Sequence, residues 1–123
     1  MIRLMHCMKK KDGVSTEDFR RFWNGAEFNE LIDKMVGHAL TVEVKKNLTL
    51  DIALNEALRE ERDAKDAFDA TLEIVWQSGS DLSALTGNEE FQRLVDEMQA
   101  VQQDYIDFHE SRRFFTEYDT TPS

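Results

Sequence analysis

The spacing of hydrophobic and polar positions changes several times along the chain, and each change predicts an element boundary. Ile2 to Met8 is a short apolar run closed by Lys9-Lys10-Lys11-Asp12-Gly13, the pattern of a strand entering a turn. Ser15 can then cap an orphan backbone N–H, and Glu17 and Asp18 would stand at the positive end of a helix. Phe19, Phe22, Trp23, Ala26, Leu31 and Met35 recur at spacings near three and four, which predicts one helix from Ser15 to about Val36, stopped by Gly37. From Val36 to Val44 the period drops to two, with Leu40, Val42 and Val44 alternating with Ala39, Thr41 and Glu43, and a second strand is expected.

Leu50 to Arg62 carries Leu50, Leu54, Ala57 and Leu58 at helical spacing and is read as a short helix in an inserted surface element, Leu48 to Asp69. Ala70 to Gln77 alternates cleanly, with Leu72, Ile74 and Trp76 on one side and Thr71, Glu73 and Val75 on the other, and Ser78-Gly79-Ser80 turns the chain. A helical turn at Asp81 to Leu85 and a break at Thr86-Gly87 lead to Asn88, the cap of a longer helix bearing Phe91, Leu94, Val95, Met98, Val101, Tyr105 and Phe108. Ser111 to Tyr118 returns to strand character, and Asp119 to Ser123 is expected to fray. The order βαββαβ over residues 1–118 predicts an α+β domain of ferredoxin-like type, a four-stranded antiparallel sheet with helices on one face.

Alternation assigns Leu4, His6, Met8, Leu40, Val42, Val44, Leu72, Ile74, Trp76 and Phe114 to the helix-facing side. The other face would then hold Arg3, Met5, Cys7, Thr41, Glu43, Lys45, Thr71, Glu73, Val75, Arg113, Phe115 and Glu117. Charges mixed with large apolar groups suit a face that closes on a second copy, so a homodimer enclosing a cavity is expected.

Length and composition narrow the function. The 123 residues make one domain, and 41% hydrophobic content with eight Phe supports a packed core despite the high charge. Twenty-five acidic against fifteen basic side chains give a formal charge of -10, which disfavours nucleic acid and anionic membrane as partners. Cys7 is the single cysteine, which suits a reducing cytoplasm, and no apolar stretch approaches membrane-spanning length. The three His have no metal-ligand spacing, so no metal is expected; GxGxxG, Walker and GxSxG signals are missing, and no cofactor is expected either.

Met1 to Trp23, with Lys-Lys-Lys-Asp-Gly-Val-Ser-Thr-Glu-Asp-Phe-Arg-Arg-Phe-Trp, resembles the opening of the EthD family. Tyr105-Ile-Asp107 and Ser111-Arg-Arg-Phe-Phe-Thr-Glu117 are similar to its closing helix and strand, so the resemblance covers most of the chain outside Leu48 to Asp69. It implies a dimeric α+β barrel of ferredoxin-like subunits, a shape shared with small monooxygenases, lactone isomerases and polyketide cyclases or decarboxylases. The family often carries a His four residues after the Trp; here that position is Glu27, which implies either altered or lost acid–base chemistry.

The candidate catalytic residues are Glu73, His38 and Glu27. Glu73 on the cavity face could abstract a proton beside a carbonyl, or pair structurally with Arg3 or Arg113. His38 stands where the second strand begins, within reach of a cavity rim, and Glu27 lies near Trp23 or faces solvent. His6 reads as a buried core histidine, and Cys7 as either a thiolate nucleophile or a small core thiol. Arg3, Met5, Cys7, Thr41, Val75, Arg113 and Phe115 are the expected substrate contacts. Together these readings point to a small hydrophobic or aromatic metabolite bound or converted by cofactor-independent isomerisation, decarboxylation or oxygenation. The alternatives are a non-catalytic ligand-binding or accessory protein for a separate oxidoreductase, and a dimerising structural module.

Overall fold

The computed structural model describes residues 1–38 and 41–117, without the side chains of His38, Thr41 and Val42. Its elements are β1 (Ile2–Met8), α1 (Thr16–Trp23), α2 (Ala26–His38), β2 (Thr41–Leu48), α3 (Ala53–Glu61), β3 (Ala70–Trp76), α4 (Gly79–Ser83), α5 (Glu89–Gln102) and β4 (Arg112–Glu117). The sheet order is β2-β3-β1-β4 and every pairing is antiparallel. Each helical crossover therefore joins two strands separated by one other strand, β1 to β2 around β3 and β3 to β4 around β1. That is the split βαβ arrangement of the ferredoxin-like fold, as the sequence order predicts.

Local chemistry sets the boundaries. Ser15 accepts from the Asp18 N–H at 3.0 Å, Ser78 from Asp81 at 3.2 Å and Asn88 from Phe91 at 2.9 Å, so three helices start on side-chain caps. Gly87 holds φ of +82° just before the last cap, a conformation that favours glycine. The expected tail and Tyr118 lie outside the described residues.

The single helix expected from Ser15 to Val36 is instead two, broken at Asn24-Gly25. A Cβ on Gly25 would stand 3.1 Å from the Arg21 carbonyl oxygen and 3.2 Å from that of Phe22, so the tight junction needs glycine. Lys46 closes it from the sheet: its Nζ donates to the Trp23 carbonyl at 2.8 Å and to Asn29 Oδ1 at 2.7 Å, and lies 5.0 Å from the Trp23 ring centre. Burial pushes the Lys46 ammonium below its ordinary pKa. Lys46→Met removes both hydrogen bonds and is expected to cost about 1–3 kcal/mol in urea unfolding. A loss of only a few tenths would mean that Asn29 alone satisfies the junction.

The core lies between the sheet and the helices. Phe19, Phe22, Trp23 and Phe28 from α1 and α2 meet Met8, Ala70, Leu72, Ile74 and Trp76 from the sheet, and Leu94, Met98 and Ile106 close the far side. The segment between β2 and β3 is pinned at its base, where Thr49 N–H donates to the Asp69 carbonyl and Asp69 N–H to that of Met8. Its helix α3 forms as predicted, but Leu50, Leu54 and Leu58 turn outward, Leu54 being 67% exposed.

Register corrects the reading of β4. Phe115 stands opposite Leu4 and Arg113 opposite His6, while Phe114 stands opposite Met5. Residues directly opposite in an antiparallel pair share a face, so Arg113, Phe115 and Glu117 belong to the helix side and Phe114 to the outer side, the reverse of the expectation. The Trp76 and Phe115 rings, 6.4 Å apart, meet on that helix side.

Candidate functional site

A cavity of about 370 Å³ opens between the sheet and helices α2 and α5. It lies on the helix side and is distinct from the cavity expected between the outer faces of two copies. The sheet supplies Leu4, Val44, Leu72, Ile74 and Trp76, α2 supplies Ile32 and Met35, and α5 supplies Phe91, Val95 and Met98. This much apolar wall is what the alternation of β1 to β3 and the stripes of the helices leave facing one another. The volume falls within the range that takes small organic ligands.

One corner is polar. His6 on β1, Gln99 and Gln102 on α5, Ser111 before β4 and Arg113 on β4 all reach the lining. Ser111 is committed to the scaffold: its Oγ donates to the Asp107 carbonyl at 2.7 Å and accepts from the Lys9 N–H at 3.0 Å. His6 and Gln102 are buried, yet their polar side-chain atoms bond to no other described residue and so are available to the cavity. Arg113 and Phe115 are exposed and belong to the mouth.

His6, 8% exposed, has its pKa lowered to about 4, first by burial and then by the positive charge of Arg113. At neutral pH it is an uncharged imidazole, with one nitrogen donating and the other accepting. The sequence reading put His6 on the correct face but took it for filled core. What would have flagged it is Arg113 beside it, and that neighbour depended on the β4 register.

The other predicted site residues fall elsewhere. Glu73 lies on the outer face, where Arg3 Nη1 meets its Oε1 at 3.0 Å and Asn47 Nδ2 donates to its Oε2 at 2.7 Å. This is the ion pair that stood as the alternative to a free base. Arg3, Met5, Cys7 and Val75 share that outer face with it, Val75 being only 1% exposed. Burial and the nearby Glu73 carboxylate push the Cys7 thiol above its ordinary pKa, which keeps it in the protonated, less reactive form. Glu27 is exposed at the start of α2, on a separate groove between α1, α2 and the end of α5. His38 ends α2 rather than beginning a strand, and Thr41 pairs with Trp76 across an irregularity in β2; both side chains lie outside the described residues. Of the predicted contacts, the cavity therefore gathers Arg113 and Phe115.

Fold and cavity together define a ferredoxin-like subunit with an open, mostly apolar pocket between sheet and helices. Among solved structures, the chain is similar to a dimeric protein of unknown function and ferredoxin-like fold from Bacteroides fragilis, with a TM-score of 0.60, 11% identity and 95% of each chain covered. It is also similar to an antibiotic biosynthesis monooxygenase, with a TM-score of 0.50, 16% identity and coverage of 99% of this chain and 100% of that one. At these identities the likeness shows the fold. No family model and no curated protein matches the chain. Among the described residues, no helix is long and apolar enough to cross a membrane.

Proposed function

We propose that the protein binds a small hydrophobic or aromatic metabolite in the cavity between the sheet and α2 and α5, as a homodimer of EthD-like subunits in a reducing cytoplasm. The observation that carries this reading is the apolar wall converging on the polar corner of His6, Gln102 and Arg113. The dimeric neighbour supports the dimer, and the partly exposed Met5 and half-exposed Phe114 give the outer sheet face apolar groups to bury against a second copy. Glu73, held by Arg3, would then lie in the dimer interior, and Glu27 outside the cavity wall. Within the described wall, the side chain able to take and return a proton is His6, a weak base that is neutral at pH 7, so a conversion such as isomerisation or decarboxylation would pass its proton there.

A second reading is a carrier or accessory protein that returns the ligand unchanged. It is favoured by the lack of a carboxylate among the described wall residues and by a His6 of low basicity. Both readings require the cavity, which titration with N-phenyl-1-naphthylamine, a neutral apolar fluorophore, examines directly. One dye per chain is expected, with binding abolished by Val95→Trp, which fills the cavity from α5. Dye binding that survives this change in a folded variant would place the apolar site elsewhere, the exposed leucines of α3 being the first suspect. Native mass spectrometry of protein from its own host separates the two functions, a carrier retaining one unaltered small molecule and an enzyme releasing product.

A further inference from the structure

The charge inside the cavity is opposite in sign to that of the whole chain. The protein carries twenty-five acidic side chains and a net charge of -10, yet the described cavity wall contains no carboxylate and one permanent charge, the Arg113 guanidinium. The neighbouring Arg112 is engaged by its own chain, its Nη1 donating to the carbonyls of His109 and Ser111 at 3.1 and 2.9 Å. Arg113 has no such engagement: no described carboxylate or carbonyl takes its guanidinium. Opposite it in the β1–β4 pairing is His6, and Gln102 approaches from α5. A free guanidinium, a buried amide and a neutral imidazole thus converge where the apolar wall ends.

We propose that the cavity takes an organic monoanion, a carboxylate on an aromatic or alicyclic body, with the carboxylate at Arg113 and Gln102 and the body against Leu72, Ile74 and Met98. This assignment rests on the cavity reading above and narrows its ligand class. Guanidinium and carboxylate match in shape as well as charge, through paired N–H···O bonds. A cation would meet Arg113 with no acid to offset it, and a second anionic group would be desolvated without a partner. The apolar remainder of the ligand gains from burial in proportion to the area it removes from water. The chain's overall negative charge repels anions at long range, so selection for the carboxylate has to come from this local group.

The test compares 2-naphthoate with its neutral counterpart 2-naphthamide as competitors of the bound naphthylamine dye, at neutral pH and low salt. The naphthoate is expected to displace the dye at least about tenfold more effectively than the amide. Arg113→Gln, at an exposed position, should remove that preference by weakening displacement by the naphthoate. Arg113→Lys should keep part of it. Equal displacement by the two compounds, or a preference that survives Arg113→Gln, overturns the monoanion assignment while the apolar cavity stands. Failure of the dye itself to bind overturns the cavity reading, and the assignment falls with it.

Discussion

Phe28→Ala is expected to lower the unfolding free energy by about 3–5 kcal/mol, the usual cost of deleting a fully buried aromatic ring. Phe28 is 1% exposed, and its ring centre lies 4.8 Å from that of Phe22 and 5.2 Å from that of Trp23. The Lys46 ammonium sits 5.4 Å from the same ring. The side chain thus joins α1, α2 and β2 across the Gly25 junction, where no continuous helix holds the two segments in line. A domain of this size has about 5–15 kcal/mol to lose, so the variant should unfold at a much lower urea concentration with a similar slope. The effect extends to function, because α2 also carries Ile32 and Met35 of the cavity wall. Naphthylamine dye binding should weaken before the chain unfolds. Phe114→Ala, on the outer face and half exposed, is the matched control and should cost about 1 kcal/mol or less in the isolated subunit. A Phe28→Ala loss no greater than the control's would mean the aromatic cluster does not hold the junction.

Particular residues show where the sequence was legible. β3 read correctly because Leu72, Ile74 and Trp76 recur at a period of two and a one-residue slip would turn all three to the other face. α5 starts where expected because Asn88 is a strong cap followed by an apolar stripe, but it ends at Gln102, leaving Tyr105 and Phe108 beyond the helix that was expected to carry them. β4 did not, since Arg112-Arg113-Phe114-Phe115 is two identical pairs: shifting it by one residue exchanges Arg for Arg and Phe for Phe, so alternation has no preference. Only pairing with β1 decides it. The break at Asn24-Gly25 was hidden because the apolar stripe continues in phase on both sides.

The cavity was less legible than the fold for a related reason. Hydrophobic pattern states which side chains face inward but not whether they meet, and volume left between α2, α5 and the sheet is a property of packing, not of period. His6 could be assigned to the inner face, but alternation does not separate a filled core from a ligand site, because both require the same pattern. The outer face was the more conspicuous in sequence, with Arg3 and Glu73 among apolar neighbours, and the structure shows those two charges spent on each other.

His6 also gives the largest expected pH effect. Its folded pKa is about 4 against an ordinary value near 6.5. The folded state therefore resists a proton that the unfolded chain accepts, and the unfolded state binds more protons throughout this window. Stability contributed by the neutral imidazole is fully present above about pH 6.5 and is lost as pH falls towards 4, amounting to about 3 kcal/mol by the lower end. His6→Asn removes the titration while keeping a polar side chain at the site. Urea unfolding from pH 7 to pH 4 should then show the wild type losing about 3 kcal/mol more than the variant. Parallel pH profiles would mean that water reaches the imidazole freely and that the corner of the cavity is not dry. Because Arg113 is the second cause of the depressed pKa, Arg113→Gln should move the wild-type midpoint upward. A carboxylate bound at that guanidinium should shift it the same way, since it offsets the same positive charge. The acid limb of stability thereby reports on the chemistry of the ligand site, with no substrate needed to read it.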